Sequence, residues 1–508
     1  MKSKRHRKSP RNKLGTLLFR PLRFLFGAHI NRQLKINREG SLCLQFVLTA
    51  TVHHGKSHLA IPESRNGQPC LNPKQKKQPK TQTANPESRN FYHSESLNKK
   101  NRTNPNQPTL EKTYMTRHAS PNRKDGENNT ANQNAPENNE MVVTPWEVKG
   151  KVDYERLIRE FGTQPLTTQL LERLEKHPDK LHLQLERRIF FSHRDLDTVL
   201  DLYDKGVKFV LYTGRGPSGP VHIGHLVPWI FTLHLQQEYD TRLYFQLTDD
   251  EKFLVDDEAN LGETSKYSYE NALDLIALGF KPENTFIIYD TQDIDLLYDI
   301  TLEVAKRITY STARSSFGFQ DSTNIGWVFW PAIQAAPCFI HKKLTGENVP
   351  ALIPAAIDQD PYWRVTRDVA QKLGYYKPAQ IHNRFLPGLG VGGKMSASMP
   401  ETCIFTMDPP EVVKNKIWNA FTGGKGTAAE QRKTGADPTV CSIFQYYFYL
   451  FEEDNAKLAE RERRCRAGEL LCGECKKDLT EKLNKFLEQH RERREKAKDV
   501  IDQYGIKR

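Results

Sequence analysis

The sequence is poor in cysteine and has no apolar run long enough to cross a membrane. Only eight cysteines occur in 508 residues, at positions Cys43, Cys70, Cys338, Cys403, Cys441, Cys465, Cys472 and Cys475. Such sparse usage excludes a small disulfide-stapled secreted protein and indicates a reducing compartment. A transmembrane helix needs about 20 consecutive apolar residues, and no segment approaches that length. We therefore expect a cytoplasmic chain without membrane association, long enough for two or three domains.

Acidic residues are nearly absent from the first 40 positions, where Glu39 is the only one. Residues 1–140 contain 26 Lys and Arg against 9 Asp and Glu, whereas residues 141–508 contain 49 against 53. The net charge of +13 therefore comes from the N-terminal arm. A high overall pI gives no reason to expect nucleic acid binding by the rest of the chain, where local patches would have to provide it.

The arm itself has the composition of an unfolded segment. Residues 1–40 resemble an organellar transit peptide in their basic and apolar composition. Residues 61–140 are rich in Asn, Pro, Lys and Gln, and the pentapeptide "PESRN" occurs twice. This predicts a disordered arm over residues 1–140. Because the composition changes abruptly at Met141, the alternative is that translation begins there.

From Met141 onward the apolar residues become periodic. Residues 141–205 have helical spacing and predict an N-terminal helical appendage. Over residues 206–408, buried strands such as "KFVLYTG", "RLYFQLTD", "TFIIYD" and "ALIPAAID" alternate with helical segments. This alternation predicts an α/β domain with a parallel sheet of the Rossmann type. Strand signals end at about residue 408, so residues 409–508 are predicted to form a second, all-helical domain.

The stretch "YTGRGPSGPVHIGHLVP", residues 212–228, lies where the first of these strands enters a helix. Loops at the carboxyl ends of parallel strands bind nucleotides, because free amides at the helix N-terminus favour phosphate. Gly214 and Gly216 allow the backbone to turn tightly. Gly224 leaves room for a flat base between His222 and His225, whose imidazoles can donate hydrogen bonds to phosphate oxygens. Taken alone, the motif is equally well a glycine-rich turn with locally satisfied histidines.

A second motif, "GGKMSASMP", follows at residues 392–400. A glycine-flanked loop carrying Lys394 can close over a pyrophosphate and neutralise its charge. We expect Met395, Ser396 and Ser398 of the same loop to contact ATP. Such a pentapeptide alone would be an ordinary surface loop, but the two motifs in this order are specific.

With "TPWEV", "QLTDDEKF", "PAIQAAP" and "AIDQDPYWR", these motifs make the chain from about residue 143 onward resemble the class I aminoacyl-tRNA synthetases. Within them it resembles the tryptophanyl enzymes of the archaeal and eukaryotic branch. The resemblance implies ligation of L-tryptophan to tRNA(Trp) through a tryptophanyl-adenylate, with ATP and Mg²⁺, by a homodimer. It also implies a Rossmann-type catalytic domain and a helical anticodon-binding domain. His222, His225 and Lys394 would be catalytic, and no covalent nucleophile is needed.

The resemblance also assigns the residues that select the amino acid. Tyr212 and Gln246 match residues that reach the indole nitrogen, and an oxygen acceptor suits an N–H that can only donate. The residues that match those around the ammonium and carboxylate groups are Glu251, Gln334 and Gln359, and a carboxylate such as Glu251 suits an ammonium. Asp358 is expected near the ribose.

Three alternatives remain at the level of sequence. The first is tyrosine specificity on the same architecture, and the second is a small-metabolite nucleotidyltransferase with a similar histidine motif. The third is a binding module that descends from a synthetase and has no catalytic activity. The presence of His222, His225, Glu251 and Lys394 together disfavours this third alternative.

Four cysteines are grouped near the C-terminus with the spacing Cys441-x23-Cys465-x6-Cys472-x2-Cys475. Some bacterial tryptophanyl-tRNA synthetases hold an iron–sulfur cluster near the anticodon module with very similar spacing. An iron–sulfur cluster or a zinc site is therefore one hypothesis. Four unrelated thiols on helices are the alternative, because a single "CGEC" is a weak signal.

Overall fold

The computed structural model describes residues 29–36, 42–49, 141–143, 148–149, 152–176, 181–391, 393–397 and 399–506. The chain divides into two compact units, Met1–Asp125 and Gly126–Arg508. In the first unit, strands β1 (His29–Ile36) and β2 (Leu42–Thr49) pair antiparallel, where the sequence predicts a disordered arm. The rest of the predicted arm lies outside the described residues. None of the described helices combines the length and apolarity that a membrane span requires.

The second unit is built on a seven-stranded sheet with the spatial order β5-β6-β11-β10-β7-β8-β9. A short antiparallel pair, β3 (Val142–Val143) and β4 (Val148–Lys149), precedes it. The seven strands are β5 (Gln164–Pro165), β6 (Phe190–Arg194), β7 (Val210–Arg215), β8 (Leu243–Leu247), β9 (Thr285–Tyr289), β10 (Ala351–Ala356) and β11 (Ala379–Asn383). The five strands from β7 to β11 are mutually parallel, which confirms the predicted Rossmann-type α/β fold.

The sheet has a switch point between β7 and β10. From β7 the chain proceeds to β8 and β9 on one side, and then returns to place β10 and β11 on the other. A crevice forms at such a point beyond the carboxyl ends of the strands, and ligands of open α/β sheets bind there. The glycine-rich turn after β7 and the "IDQ" turn after β10 both open into this crevice.

Strands β5 and β6 depart from the helical appendage predicted over residues 141–205. Both join the sheet antiparallel, with β6 paired to β11. Phe190 and Phe191 are buried, so β6 lacks the alternation of polar and apolar residues that marks a half-exposed strand. Arg194, at its end, pairs with the fully buried carboxylate of Asp360. The helical prediction does not hold for these two segments.

Seventeen α-helices are present among the described residues, and they cover both faces of the sheet and form the C-terminal part. Up to β9 they are α1 (Tyr154–Phe161), α2 (Thr168–Lys176), α3 (Leu183–Glu186), α4 (Leu196–Asp204), α5 (Ile223–Glu238), α6 (Asp249–Val255) and α7 (Leu261–Ala277). The others are α8 (Asp290–Ala305), α9 (Tyr310–Phe317), α10 (Ile325–Ala335), α11 (Ile340–Thr345), α12 (Asp360–Ala370), α13 (Pro410–Asn419), α14 (Ala428–Thr434), α15 (Ser442–Tyr446), α16 (Asn455–Arg466) and α17 (Cys472–Ala497).

The described residues after 409 are helical or irregular, as the sequence predicts. Helix α17 packs on α7 of the sheet region, where His490 Nε2 lies 2.8 Å from Asp274 Oδ1 and both side chains are buried. Apolar residues of α17 and of the sheet belong to one core cluster. The C-terminal helices therefore share a core with the sheet. The domain boundaries given above stay predictions, because this shared core does not test them.

Adjacent residues of the central strands point to opposite faces of the sheet. Leu211 and Phe245 join the core beneath α5 and α7. Tyr212 and Tyr244 point to the other face, into a second core formed with α8, α10 and α12. This second core is rich in aromatic side chains, and it reaches the crevice at the carboxyl ends of β7 and β8.

Candidate active site

The two histidines of the glycine-rich motif lie at the beginning of α5, as the sequence predicts. His222 is the N-cap residue, and its backbone N–H donates to Nδ1 of His225 over 3.2 Å. The two rings stack with their centroids 3.6 Å apart. Since His225 Nδ1 accepts this bond, the hydrogen of a neutral His225 ring is on Nε2. His225 can therefore donate only from Nε2.

Both imidazoles are neutral at physiological pH. Burial, together with the positive charges of Arg215 and Lys394, lowers the pKa of His222 to about 3. Burial also holds the pKa of His225 well below its usual value. The two side chains can thus serve as neutral hydrogen-bond donors, and Arg215 and Lys394 carry the positive charge near them.

Two glycines of this segment, Gly214 and Gly224, lie close to neighbouring atoms that leave little room for a side chain. A Cβ on Gly214 would lie 2.4 Å from the backbone oxygen of Gln246, so the close pairing of β7 and β8 excludes a side chain there. On Gly224 it would lie 3.0 Å from His222 Nδ1 and 3.5 Å from Met395 Cβ. Gly224 is therefore covered by one residue from each motif, and these two contacts bring the "HIGH" and "KMSAS" segments together.

We expect Gly216→Ala to raise the KM for tryptophan about 10-fold. A Cβ at this position would lie 2.1 Å from Lys252 Cε and 2.8 Å from Glu251 Oε2, so it would displace the carboxylate predicted to bind the ammonium. The displaced atoms are ends of flexible side chains, so thermal stability should change little. Gly219→Ala is the matched control, because a Cβ at Gly219 meets nothing within 4 Å. Equal KM values for the two variants in a pyrophosphate-exchange assay would contradict the prediction.

Lys394 of the second motif reaches the crevice from its other side. Its Nζ lies 2.8 Å from Asp358 Oδ2 and 5.5 Å from the centre of the Phe385 ring. Asp358 follows β10 and is almost fully buried, and burial raises the pKa of this carboxyl while Lys394 opposes the shift. Asp358 Oδ1 has no hydrogen-bond partner among the described residues. The residues predicted for pyrophosphate and ribose therefore meet in one ion pair.

The other residues of this loop are partly described. Met395 is buried in the core, and the backbone carbonyl of Ser396 accepts a hydrogen bond from the thiol of Cys403 over 2.8 Å. Ser398 lies outside the described residues. Gln359 is half-buried and lies directly beside Asp358 in the chain.

Two residues predicted to read the indole nitrogen lie in direct contact. The Tyr212 hydroxyl is 2.6 Å from Gln246 Oε1 and 2.9 Å from the backbone oxygen of Gln334. Burial raises the pKa of Tyr212 well above its usual value, so the phenol stays neutral. The Trp363 ring stands edge-on to Tyr212, with centroids 6.1 Å apart. This end of the aromatic core therefore presents oxygen acceptors, which suits an N–H donor.

Glu251, in the first turn of α6, lies beside the glycine-rich turn, where its Oε2 would be 2.8 Å from a Cβ at Gly216. Its Oε2 accepts a hydrogen bond from the Thr248 hydroxyl over 2.7 Å, and its Oε1 lies 3.2 Å from Lys252 Nζ. Glu251 also acts electrostatically on Tyr212 and Tyr362. One crevice therefore collects the described site residues that the sequence predicts.

Several buried polar residues around this site are not predicted from the sequence. Asp290 accepts from the Gln246 amide, and Asp250 accepts from the indole N–H of Trp330 over 3.0 Å. Arg215 donates to the carbonyls of Gly219 and Pro220 in the turn before His222. In the sequence these residues stand out only by lying within or next to the motifs. Charged residues at strand ends usually face solvent, so the sequence does not predict that these are buried.

The prediction of a metal centre at the four C-terminal cysteines is not supported. All four line one cavity of about 20 Å³, together with Arg461. That volume suits about one water molecule and not a cluster. Burial, together with the neighbouring thiols of Cys441, Cys475 and Cys472, raises the pKa of Cys465 to about 12. In the part of the chain that the structure describes, no three His, Cys, Asp or Glu side chains are arranged to hold a metal ion.

Known proteins are similar to this chain in both sequence and fold. The profile of "tRNA synthetases class I (W and Y)" matches residues 204–488. The Tryptophan–tRNA ligase of Pyrobaculum arsenaticum is 51% identical over 367 residues, which cover 72% of this chain and 98% of that protein. The ligase of Thermococcus sibiricus is 51% identical over 368 residues, covering 72% and 94%.

Among solved structures, the crystal structure of Plasmodium falciparum tryptophanyl-tRNA synthetase superposes with a TM-score of 0.66. It has 39% sequence identity and covers 70% of this chain and 97% of that one. Tryptophanyl-tRNA synthetase from the archaeon Aeropyrum pernix has a TM-score of 0.64 at 32% identity, covering 70% and 96%. The chain therefore belongs to the tryptophan–tRNA ligase family of class I tRNA synthetases.

Proposed function

We propose that the chain ligates L-tryptophan to tRNA(Trp) at the expense of MgATP, through a tryptophanyl-adenylate. The observation that carries this proposal is the convergence of two different sites at the sheet switch point. One is the end of the aromatic core that presents the oxygen acceptors Tyr212 and Gln246, which we assign to tryptophan. The other is the group of paired imidazoles and Lys394, which we assign to the phosphates of ATP. Activation of tryptophan requires both.

In the first step, a carboxylate oxygen of tryptophan attacks the α-phosphorus of MgATP in line. The bond from this phosphorus to the pyrophosphate oxygen breaks, and pyrophosphate leaves with the electron pair. The chain needs no nucleophile of its own, so its residues act by positioning and by charge stabilisation. Nε2–H of His225 is proposed to donate to a phosphate oxygen as charge grows there.

Lys394 is proposed to change partners during this step. It is held by Asp358 Oδ2, while Asp358 Oδ1 has no partner among the described residues and is free to accept a ribose hydroxyl. When pyrophosphate leaves, its developing negative charge is a stronger partner for the ammonium than one buried carboxylate of raised pKa. Asp358 therefore positions both the ribose and the lysine.

In the second step, a hydroxyl of the terminal ribose of tRNA(Trp) attacks the acyl carbon of the adenylate. The ester bond forms, the bond from the acyl carbon to the phosphate oxygen breaks, AMP leaves with the electron pair, and the hydroxyl proton passes to water. We propose tRNA(Trp) and L-tryptophan as the partners, and the described C-terminal helices as the anticodon-binding part. A cytoplasmic homodimer stays a prediction, which fractionation and light scattering of the purified chain would test.

Pyrophosphate exchange with single amino acids tests this function. The chain should exchange labelled pyrophosphate into ATP with tryptophan, and at least about 100-fold less efficiently with tyrosine. Exchange with tyrosine alone would select a tyrosyl enzyme. Absence of exchange with either amino acid, in protein that still binds ATP, would favour a module without catalytic activity.

A further inference from the structure

The side-chain amide of Gln246 lies between a hydroxyl group that donates to its oxygen and a carboxyl group that accepts from its nitrogen. Its Oε1 lies 2.6 Å from the Tyr212 hydroxyl on the pocket side. Its Nε2 lies 2.8 Å and 2.9 Å from the two carboxyl oxygens of Asp290 on the other side. Gln246 and Asp290 are both almost completely buried, so bulk water does not compete for either end of the amide.

A glutamine amide is nearly symmetric in shape but not in hydrogen bonding. One end accepts and the other donates, and rotation by about 180° exchanges them. The flipped amide would present its NH₂ to the pocket, where it would oppose the N–H of an indole ring. A glutamine therefore selects an N–H donor only when a second residue fixes which end faces the ligand.

Asp290 has the chemistry to fix this orientation. An oxygen of its carboxyl group can accept from the Gln246 NH₂, but it repels the amide oxygen. Asp290 also interacts electrostatically with Asp250, and burial raises the pKa of both carboxyl groups, that of Asp250 to about 6. Asp290 is buried and Asp250 half-buried, and two neighbouring carboxyl groups of this kind can share one proton. A proton placed between them leaves Asp290 oxygen to accept from Gln246.

Asp250 is in turn anchored from the pocket wall. Its Oδ1 accepts from Trp330 Nε1 over 3.0 Å and from the backbone N–H of Glu251 over 2.7 Å. Asp249, the third acidic group of this region, is occupied elsewhere, because it accepts from the backbone N–H of Thr291 over 3.0 Å. Trp330 and Gln246 therefore donate to the Asp250 and Asp290 pair from its two ends, so the pair accepts at both.

We propose that Asp290 is a specificity-determining positioning residue that holds the Gln246 oxygen toward the amino-acid pocket and so makes the site selective for an indole N–H. This inference rests on the proposed function, since it assumes that Gln246 contacts the indole ring. Asp290 does not touch the reacting atoms. We expect Asp290 to affect which amino acid the site selects and not the rate of the chemical step.

The competing explanation is purely structural. Asp290 is the first residue of α8, where a carboxylate also favours the helix N-terminus. Asp293 lies in the same first turn and accepts from the backbone N–H of Tyr289 over 3.0 Å, but it is not bonded to Gln246. Asp293→Asn therefore removes an acidic group from the same helix end and is the matched control.

The test compares tryptophan with β-(benzothiophen-3-yl)alanine, in which sulfur replaces the indole N–H. The measured quantity is the ratio of kcat/KM for tryptophan to kcat/KM for the analogue in pyrophosphate exchange. This ratio does not depend on the fraction of folded enzyme. The wild-type ratio should be at least about 10, because the analogue leaves the acceptors unpaired.

In Asp290→Asn the amide of Gln246 can flip, because the new NH₂ group can donate to Gln246 Oε1. We expect the ratio to fall to about 3 or less, with kcat for tryptophan within about threefold of wild type. Asp290→Ala, which removes the acceptor altogether, should have the same effect. Gln246→Leu should also abolish the preference, and adding Asp290→Asn to it should cause no further change. Asp293→Asn should retain the wild-type ratio.

A wild-type ratio in both Asp290 variants, with the preference lost in Gln246→Leu, would overturn the inference and leave the proposed function intact. An equal loss of the ratio in Asp293→Asn would also overturn it, because the effect would then belong to the helix terminus. Failure of the wild-type chain to activate tryptophan would instead reject the proposed function itself.

Discussion

Replacing Lys394 with alanine is expected to lower the rate of tryptophanyl-adenylate formation by about 10³-fold, with tryptophan affinity within about twofold of wild type. The removal of one preorganised group that stabilises developing charge raises a barrier by about 3–4 kcal/mol. Lys394 approaches the crevice from the side of Asp358 and the "IDQ" turn, away from Tyr212 and Gln246. Single-turnover kinetics would give the rate, and equilibrium dialysis with labelled tryptophan would give the affinity.

Lys416 provides a closely matched control. Its Nζ lies 2.7 Å from Asp408 Oδ2 and 4.9 Å from the centre of the Phe405 ring. The corresponding distances for Lys394 are 2.8 Å to Asp358 and 5.5 Å to Phe385. Lys416→Ala therefore removes the same kind of ion pair and the same kind of ring contact, without removing the ammonium from the phosphate site. Equal losses of tryptophan affinity and adenylate formation in Lys394→Ala would contradict the assigned role.

The sequence predicts the parallel strands well and the antiparallel edge poorly. Strands β7, β8 and β9 are short apolar runs followed by helical patterns, and hydrophobic periodicity identifies such runs. Strand β6 carries Ser192 and His193, which are both buried by β11 and by the helices that cover it. A polar pair of this kind suggests a loop in sequence. Only the tertiary contacts, such as the bond between Ser192 Oγ and His382 Nδ1, make it a strand.

The same limit applies to the site. Residues such as His222 and Lys394 are predictable because their motifs combine glycines with a reactive side chain at fixed spacing. Asp290 acts on Gln246 from 44 positions away along the chain, and no local pattern connects the two. The four cysteines show the converse, since suggestive spacing brings the thiols around one cavity, but the described residues contain no group of three His, Cys, Asp or Glu side chains arranged to hold a metal ion.

Arg215 connects the turn before His222, part of the proposed phosphate site, to the C-terminal helices through buried contacts. It donates to the carbonyls of Gly219 and Pro220 over 3.2 Å and 3.0 Å, and it also bonds Asn271 Oδ1 on α7. Asn271 donates to the same Gly219 carbonyl over 3.2 Å. Two side chains thus hold the turn that immediately precedes His222, and both are anchored to α7.

Helix α7 is itself held by α17. His490 lies 2.8 Å from Asp274, whose charge also acts on the Arg215 guanidinium. Arg494 pairs with Glu270 and lies 3.4 Å from Asp274. A displacement of α17 would therefore be transmitted to the turn through α7, without any contact between α17 and the nucleotide.

We expect Arg215→Met to lower kcat for tryptophan-dependent pyrophosphate exchange by about 10- to 100-fold and to raise the KM for ATP. Misplacement of a reacting group by about 1 Å is sufficient for a loss of this size. The KM for tryptophan should change less, because Tyr212 and Gln246, on the opposite face of the sheet, retain their contacts.

Arg493→Met is the control, since Arg493 donates to the Ala277 carbonyl of α7 over 2.7 Å and does not bond the turn. If both variants lose activity equally, packing between α7 and α17 is sufficient to explain the loss. If neither does, the turn keeps its geometry without the guanidinium, and His222 and His225 are positioned by the helix N-terminus alone.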